Sequence, residues 1–191
     1  MNDQHRFFRP NVPNPYPDGF NEITDFEYIT RLVLAREPEA PDLGDDREAT
    51  YIVAEPYTVR YKIDGRATTL TVPRGLLTDL ASVPQFARGV VGRVGPHLEA
   101  SIVHDYLFVA WQLLPDRGAR RRDFEFANQV MFAGLESGGV PGYQQVAIRA
   151  ALNFPWVSWS VYRETDDPIF VKLDERFAAT ETGVLPGSGT A

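Results

Sequence analysis

An α+β fold is predicted by three observations on this 191-residue chain. Apolar and polar residues alternate on either side of the turn pair Asp64-Gly65, apolar stripes of helical period fill the second half, and no segment repeats. The expected architecture is an early antiparallel β-hairpin or small sheet followed by a three- to four-helix body. The expected organisation is a Pro-rich arm and acidic loop over 1–49, a single α+β domain over 50–164 and a C-terminal extension over 165–191.

Each element has a local cause. Residues 1–20 include PNVPNPYPDG, where proline removes backbone donors and biases its neighbours toward extended geometry, so this stretch reads as an arm outside the core. Residues 36–49, REPEAPDLGDDREA, are polar and acidic and read as an exposed loop. YTVRYKI then alternates, Asp64-Gly65 turns the chain, and RATTLTV is β-branched, which together predict a hairpin. A short helix is expected from Ser82 to about Gly89, with Ser82 capping its start and Gln85 reaching back. Gly95-Pro96 opens a longer helix over His97–Leu114, because proline suits a first helical turn. Residues 115–118, PDRG, end it. A third helix is expected over Arg121–Ser137, closed by Gly138-Gly139. A fourth follows Pro141 and runs through YQQVAIRAALN, where Pro155 kinks or ends it before WVSWSVY.

Composition excludes several classes of function. An apolar content of 43%, with 12% aromatic residues, is enough for a folded core. The formal charge of -7 argues against general nucleic-acid or anionic-membrane binding, both of which need a basic surface. Cysteine is absent, which removes disulfides, thiolate metal sites and a cysteine nucleophile. No run approaches the apolar length of a membrane span, and the start, MNDQHRFFRP, lacks the apolar stretch of a secretory signal. The expected location is the cytoplasm of whichever cell makes the protein, or an assembly built there.

The costliest residues in the apolar second half are His104 and Asp105, within SIVHDYLFVAW. Apolar residues cover most of the circumference of the helix around them, so both need partners or a ligand. His97 shares the face of His104 but stands roughly 10 Å away along the axis, too far to share a metal ion. With three histidines in the chain, a multi-histidine site is not expected. Two readings of the pair stand. In one, Asp105 bonds backbone groups and His104 is a satisfied core histidine. In the other, Asp79, His104 and Asp105 are catalytic residues or ligands to one divalent ion such as zinc or manganese, or His104 is a base oriented by an acid.

Thr78, Asp79 and Ser82 flank a strand-to-helix turn, where capping and local hydrogen bonding explain them as well as reactivity does. Phe124, Ala127, Met131 and Leu135 form an apolar stripe on the third helix, and Asn128 lies within it. A core-facing Asn needs partners, which Asp79, His104 or Asp105 supply if turn, central helix and third helix share one polar network. Arg117, Arg120, Arg121 and Arg122 crowd the start of the third helix, where cations oppose the helix dipole. Either they are a solvated face or they meet an acidic partner or a phosphate. Trp156 and Trp159 read as core or interface.

The combination VPRGLLTDLASVP, IVHDYLF and RRDFEFANQVMF resembles a family of small proteins encoded by bacteriophages and prophages, whose domain has no assigned activity. The resemblance covers about residues 57–150. Its most specific parts are Thr78, Asp79, Ala81, Ser82 and Pro84 in the turn, and His104-Asp105-Tyr106. Family members tend to carry Ala-Asp where this chain has Ala127-Asn128, and Asn lacks the charge of a strong ligand or acid. The resemblance implies a virion-associated structural or accessory protein, at the tail or in its assembly, whose partners are other phage structural proteins or further copies of itself. The alternatives are the metal-assisted hydrolase using Asp79, His104 and Asp105, and a phage protein that binds a host factor.

Overall fold

The structure, a computed structural model, describes residues 7–36, 51–78, 95–115, 117–152, 155–164 and 170–173. In chain order the strands are β1 (Phe7–Phe8), β2 (Ile23–Tyr28), β3 (Leu34–Arg36), β4 (Tyr51–Val53), β5 (Tyr57–Ile63), β6 (Arg66–Val72), β7 (Leu77–Thr78) and β8 (Phe170–Val171). The helices are α1 (Leu98–Val109), continued by a 3-10 segment over Ala110–Leu113, then α2 (Arg121–Ser137), α3 (Gly142–Leu152) and α4 (Pro155–Glu164). Strands β1 to β7 come first, the helices follow and β8 comes after them, which is the expected α+β arrangement of early strands and later helices. No helix among the described residues is long and apolar enough to cross a membrane.

The hairpin forms where the sequence predicts it. Ile63 pairs with Arg66 across the turn, and Asp64 and Gly65 take φ of 48° and 79°, the left-handed geometry a two-residue turn of this hand requires. On β5 and β6, Tyr57, Val59, Tyr61, Leu70 and Val72 are buried while Arg60, Lys62 and Thr71 face outward. β2 pairs antiparallel with the other edge of β5, giving the order β2-β5-β6. A second sheet has the order β3-β4-β7, and β1 pairs with β8.

The buried face of the main sheet packs on α1 and α2 in one apolar cluster containing Phe26, Val59, Tyr61, Ile102, Leu107, Phe126 and Val130. Burying a side chain such as Leu107 or Phe126 contributes about 1.5–3 kcal/mol. The opposite side of α2 packs on α3 through Met131, Phe132, Leu135, Ile148 and Leu152. Gly134 lets these layers meet. A Cβ there would stand 3.0 Å from that of Ala100 on α1 and 3.1 Å from the Tyr28 hydroxyl, which donates to the Gly134 carbonyl at 2.8 Å.

The two ends of the chain depart from the sequence reading. Residues 7–20 do not stand apart as an arm: Tyr16 is only 4% exposed, and Phe8 packs against the main core. Phe170 and Val171, expected in an extension, are buried where β8 meets β1. The aromatic residues between the prolines explain the first departure, since an extended backbone suits an edge strand while the rings seek the core. The helix expected to Leu114 remains α only to Val109. WVSWSVY, after the predicted break at Pro155, is itself helical in α4. The helix expected after Ser82 lies outside the described residues.

Candidate functional site

Adjacent positions on a helix point about 100° apart, so His104 and Asp105 reach different neighbours from α1. His104 faces α2, where its Nε2 lies 2.9 Å from Asn128 Oδ1. Asp105 faces the end of β7, where the Thr78 hydroxyl donates to Asp105 Oδ2 at 3.0 Å. β4 holds Thr78 in place by pairing it with Tyr51. Three segments are thus tied by two polar contacts from consecutive residues of one helix.

The His104 side chain sits in an apolar setting, its ring 4.1 Å from that of Phe108. Burial pulls its pKa down to about 4, and the hydrogen bond to Asn128 opposes that shift only in part. The imidazole is therefore neutral near pH 7. With Nε2 against an amide oxygen, the network assigns the proton to Nε2 and leaves Nδ1 a bare acceptor. Nδ1 is buried and has no hydrogen-bond partner among the described residues.

A bare imidazole nitrogen is chemically suited to bind a metal ion, while the burial that lowers the His104 pKa weakens it as a proton acceptor. Asp105, next in sequence, is half-buried and directs its carboxylate to Thr78. No group of three His, Cys, Asp or Glu side chains that could hold a metal ion occurs among the described residues. Asp79 and Ser82, the other sequence candidates, lie outside those residues.

The arginine run divides. Arg117 forks onto Asp123, with Nε at 3.0 Å from Oδ2 and a terminal nitrogen at 2.7 Å from Oδ1. Asp123 is only 3% exposed, so Arg117 is drawn inward and does not belong to a free basic surface. Arg121 pairs with Glu125 one turn on and lies over the rings of Phe124 and Trp159. Arg120 and Arg122 are exposed. Trp159 packs edge-on to Phe124 and stacks on Tyr162, while the Trp156 side chain lies outside the described residues.

Residues 51–151 match the family model described as a protein of unknown function, DUF1353. The chain belongs to this family. No curated protein and no solved structure matches it. The DUF1353 span runs from β4 into α3 and includes Thr78, Asp79, Ser82, His104, Asp105, Asn128 and all four clustered arginines. It leaves out β1 to β3, α4 and β8. One residue that sequence reasoning passed over, Tyr16, therefore reaches the DUF1353 core from outside the span. Its hydroxyl bonds to the backbone of α1 at Leu107 and to Trp111 beyond it. The signal available in the sequence was a lone aromatic between Pro15 and Pro17.

Proposed function

We propose that this DUF1353 protein is a non-catalytic, virion-associated component of a bacteriophage, acting at the tail or in its assembly. The observation that carries the non-catalytic part is the His104–Asn128 contact. The ring is 2% exposed and its proton-bearing nitrogen is spent on a neutral amide, a group that neither takes up a proton at ordinary pH nor binds metal strongly. Asp105 is likewise engaged by Thr78. The phage part rests on the resemblance of the TDLASVP and HDY motifs to proteins encoded by phages and prophages. Tyr143, Val146 and Val161, each more than half exposed, are apolar side chains suited to contact with neighbouring structural proteins or further copies. The protein then resides in the virion, or in the host cytoplasm during assembly. Quantitative mass spectrometry of purified particles from the producing strain tests the proposal. A fixed copy number per particle is expected, and a protein that stays monomeric and never enters the particle overturns it.

One observation favours a second reading, a metal-assisted hydrolase. His104 Nδ1 is a buried nitrogen with no hydrogen-bond partner among the described residues, next in sequence to Asp105. In this reading Asp79, His104 and Asp105 hold one divalent ion, and Asn128 orients the ring. The ion when bound supplies Lewis acidity and an acidified water. Metal analysis of the purified protein separates the readings: one zinc or manganese ion per chain, lost in Asp79→Asn, supports the hydrolase, and no retained metal counts against it.

A further inference from the structure

We infer that residues 7–20 form a strap whose Tyr16 hydroxyl plugs the backbone of α1 and sets where that helix ceases to be α. The hydroxyl donates to the Leu107 carbonyl and accepts from the Trp111 N–H at 3.0 Å. These two backbone groups are four residues apart, the pair that an uninterrupted α-helix joins directly. Within this interval the chain changes from α, ending at Val109, to 3-10, beginning at Ala110. A side chain inserted into the helical ladder is one of the few physical causes of such a break. Tightening of a last turn to 3-10 is another, common at helix ends. Ala110, Trp111, Gln112 and Leu113 are all compatible with an α-helix, and Pro115 accounts for the extended geometry of Leu114 but not for a change five residues earlier.

The strap is anchored along its length. Phe8 packs edge-on to Phe170 at 6.0 Å, and Phe20 meets Phe126 on α2 at 5.4 Å. The ring of Tyr16 also meets Phe126, at 6.3 Å, and the Arg117 guanidinium lies 4.9 Å from its centre. Because Arg117 is forked to Asp123 in the first turn of α2, Tyr16 sits where the end of α1 and the start of α2 are held together.

The strap thus has a defined second state. With Tyr16 withdrawn, the Leu107 carbonyl and the Trp111 N–H bond directly and α1 continues to Leu113. Four residues rewound from 3-10 to α shorten the axis by about 2 Å, which moves the loop carrying Arg117. Strap position and loop position are coupled through one hydroxyl group.

Tyr16→Phe in the full chain tests this, because it keeps the ring contacts and removes the hydroxyl, with its bonds to the helix backbone and its interaction with Tyr162. NMR secondary shifts of Ala110–Leu113 are expected to move to α-helical values, and amides of residues 11–20 to exchange about tenfold faster through loss of a buried hydrogen bond. Persistence of 3-10 shifts, or unchanged exchange in the strap, overturns the inference. If the variant does not fold, native-state exchange of the unaltered protein decides. The Trp111 amide and the Tyr16 amide, which donates to Asn14 Oδ1 at 3.0 Å, must then open with the same denaturant dependence. Separate openings overturn it.

Discussion

His104 and Asn128 meet between α1 and α2 with Nε2 and Oδ1 2.9 Å apart, both side chains almost wholly withdrawn from water. Each removes the other's desolvation cost, so truncating one strands its partner. Asn128→Ala is expected to lower folding stability by about 1–3 kcal/mol. Urea unfolding followed by circular dichroism measures this. Unchanged stability would mean that the contact carries no structural weight.

Burial also makes stability depend on pH. The folded-state pKa of His104, about 4, lies below the ordinary 6.5, so the unfolded chain binds the extra proton first as the solution is acidified. This contribution is complete above about pH 6.5 and is lost as pH falls toward 4, with a total near 3 kcal/mol. His104→Gln keeps an N–H for Asn128 but does not titrate. The unaltered protein should therefore lose about 2–3 kcal/mol more than the variant between pH 7.5 and 4.5. Equal losses in denaturant melts at the two pH values would refute it.

Asn128→Asp should change the sign of this behaviour. A carboxylate against Nε2 favours the imidazolium, so the His104 pKa rises. As it climbs toward and past 6.5, the acid-side loss shrinks and then becomes a loss on raising pH. An NMR titration of the His104 ring protons reads the shift directly. An unmoved titration would show that residue 128 does not control the ring.

Arg117→Ala leaves the Asp123 carboxylate buried without its fork. The expected destabilisation is about 3–5 kcal/mol, whereas replacing both partners together with apolar residues is expected to cost far less. A double-mutant cycle in urea distinguishes this from simple loss of surface charge, which would give additive effects below about 1 kcal/mol.

The parts of the fold legible in the sequence are those with an unbroken local pattern. The β5–β6 hairpin shows strict alternation around a turn pair, and α2 has a helical stripe between an arginine run and two glycines, so both appear where the residues place them. β2 does not read as a strand because its register shifts between Thr24 and Glu27, and Asp25 takes φ of 50°. That irregularity spaces Ile23, Phe26 and Tyr28 unevenly and hides the period of two. Asn128 was legible as a polar residue in an apolar stripe, but which of Asp79, His104 and Asp105 it meets was not, because that depends on how two helices pack. Arg117 was not, because a run of four arginines looks uniform until one of them finds a buried acid six residues on. Tyr16 has no periodic context at all, and its partners are backbone groups more than ninety residues away in sequence.

The pairing of β1 with β8 has a mechanical corollary. Phe7 stands opposite Val171 and Phe8 opposite Phe170, so the chain enters and leaves this ladder at the same end. Tension applied through residues 7 and 171 would peel the ladder one rung at a time, the geometry in which strands part at the lowest force.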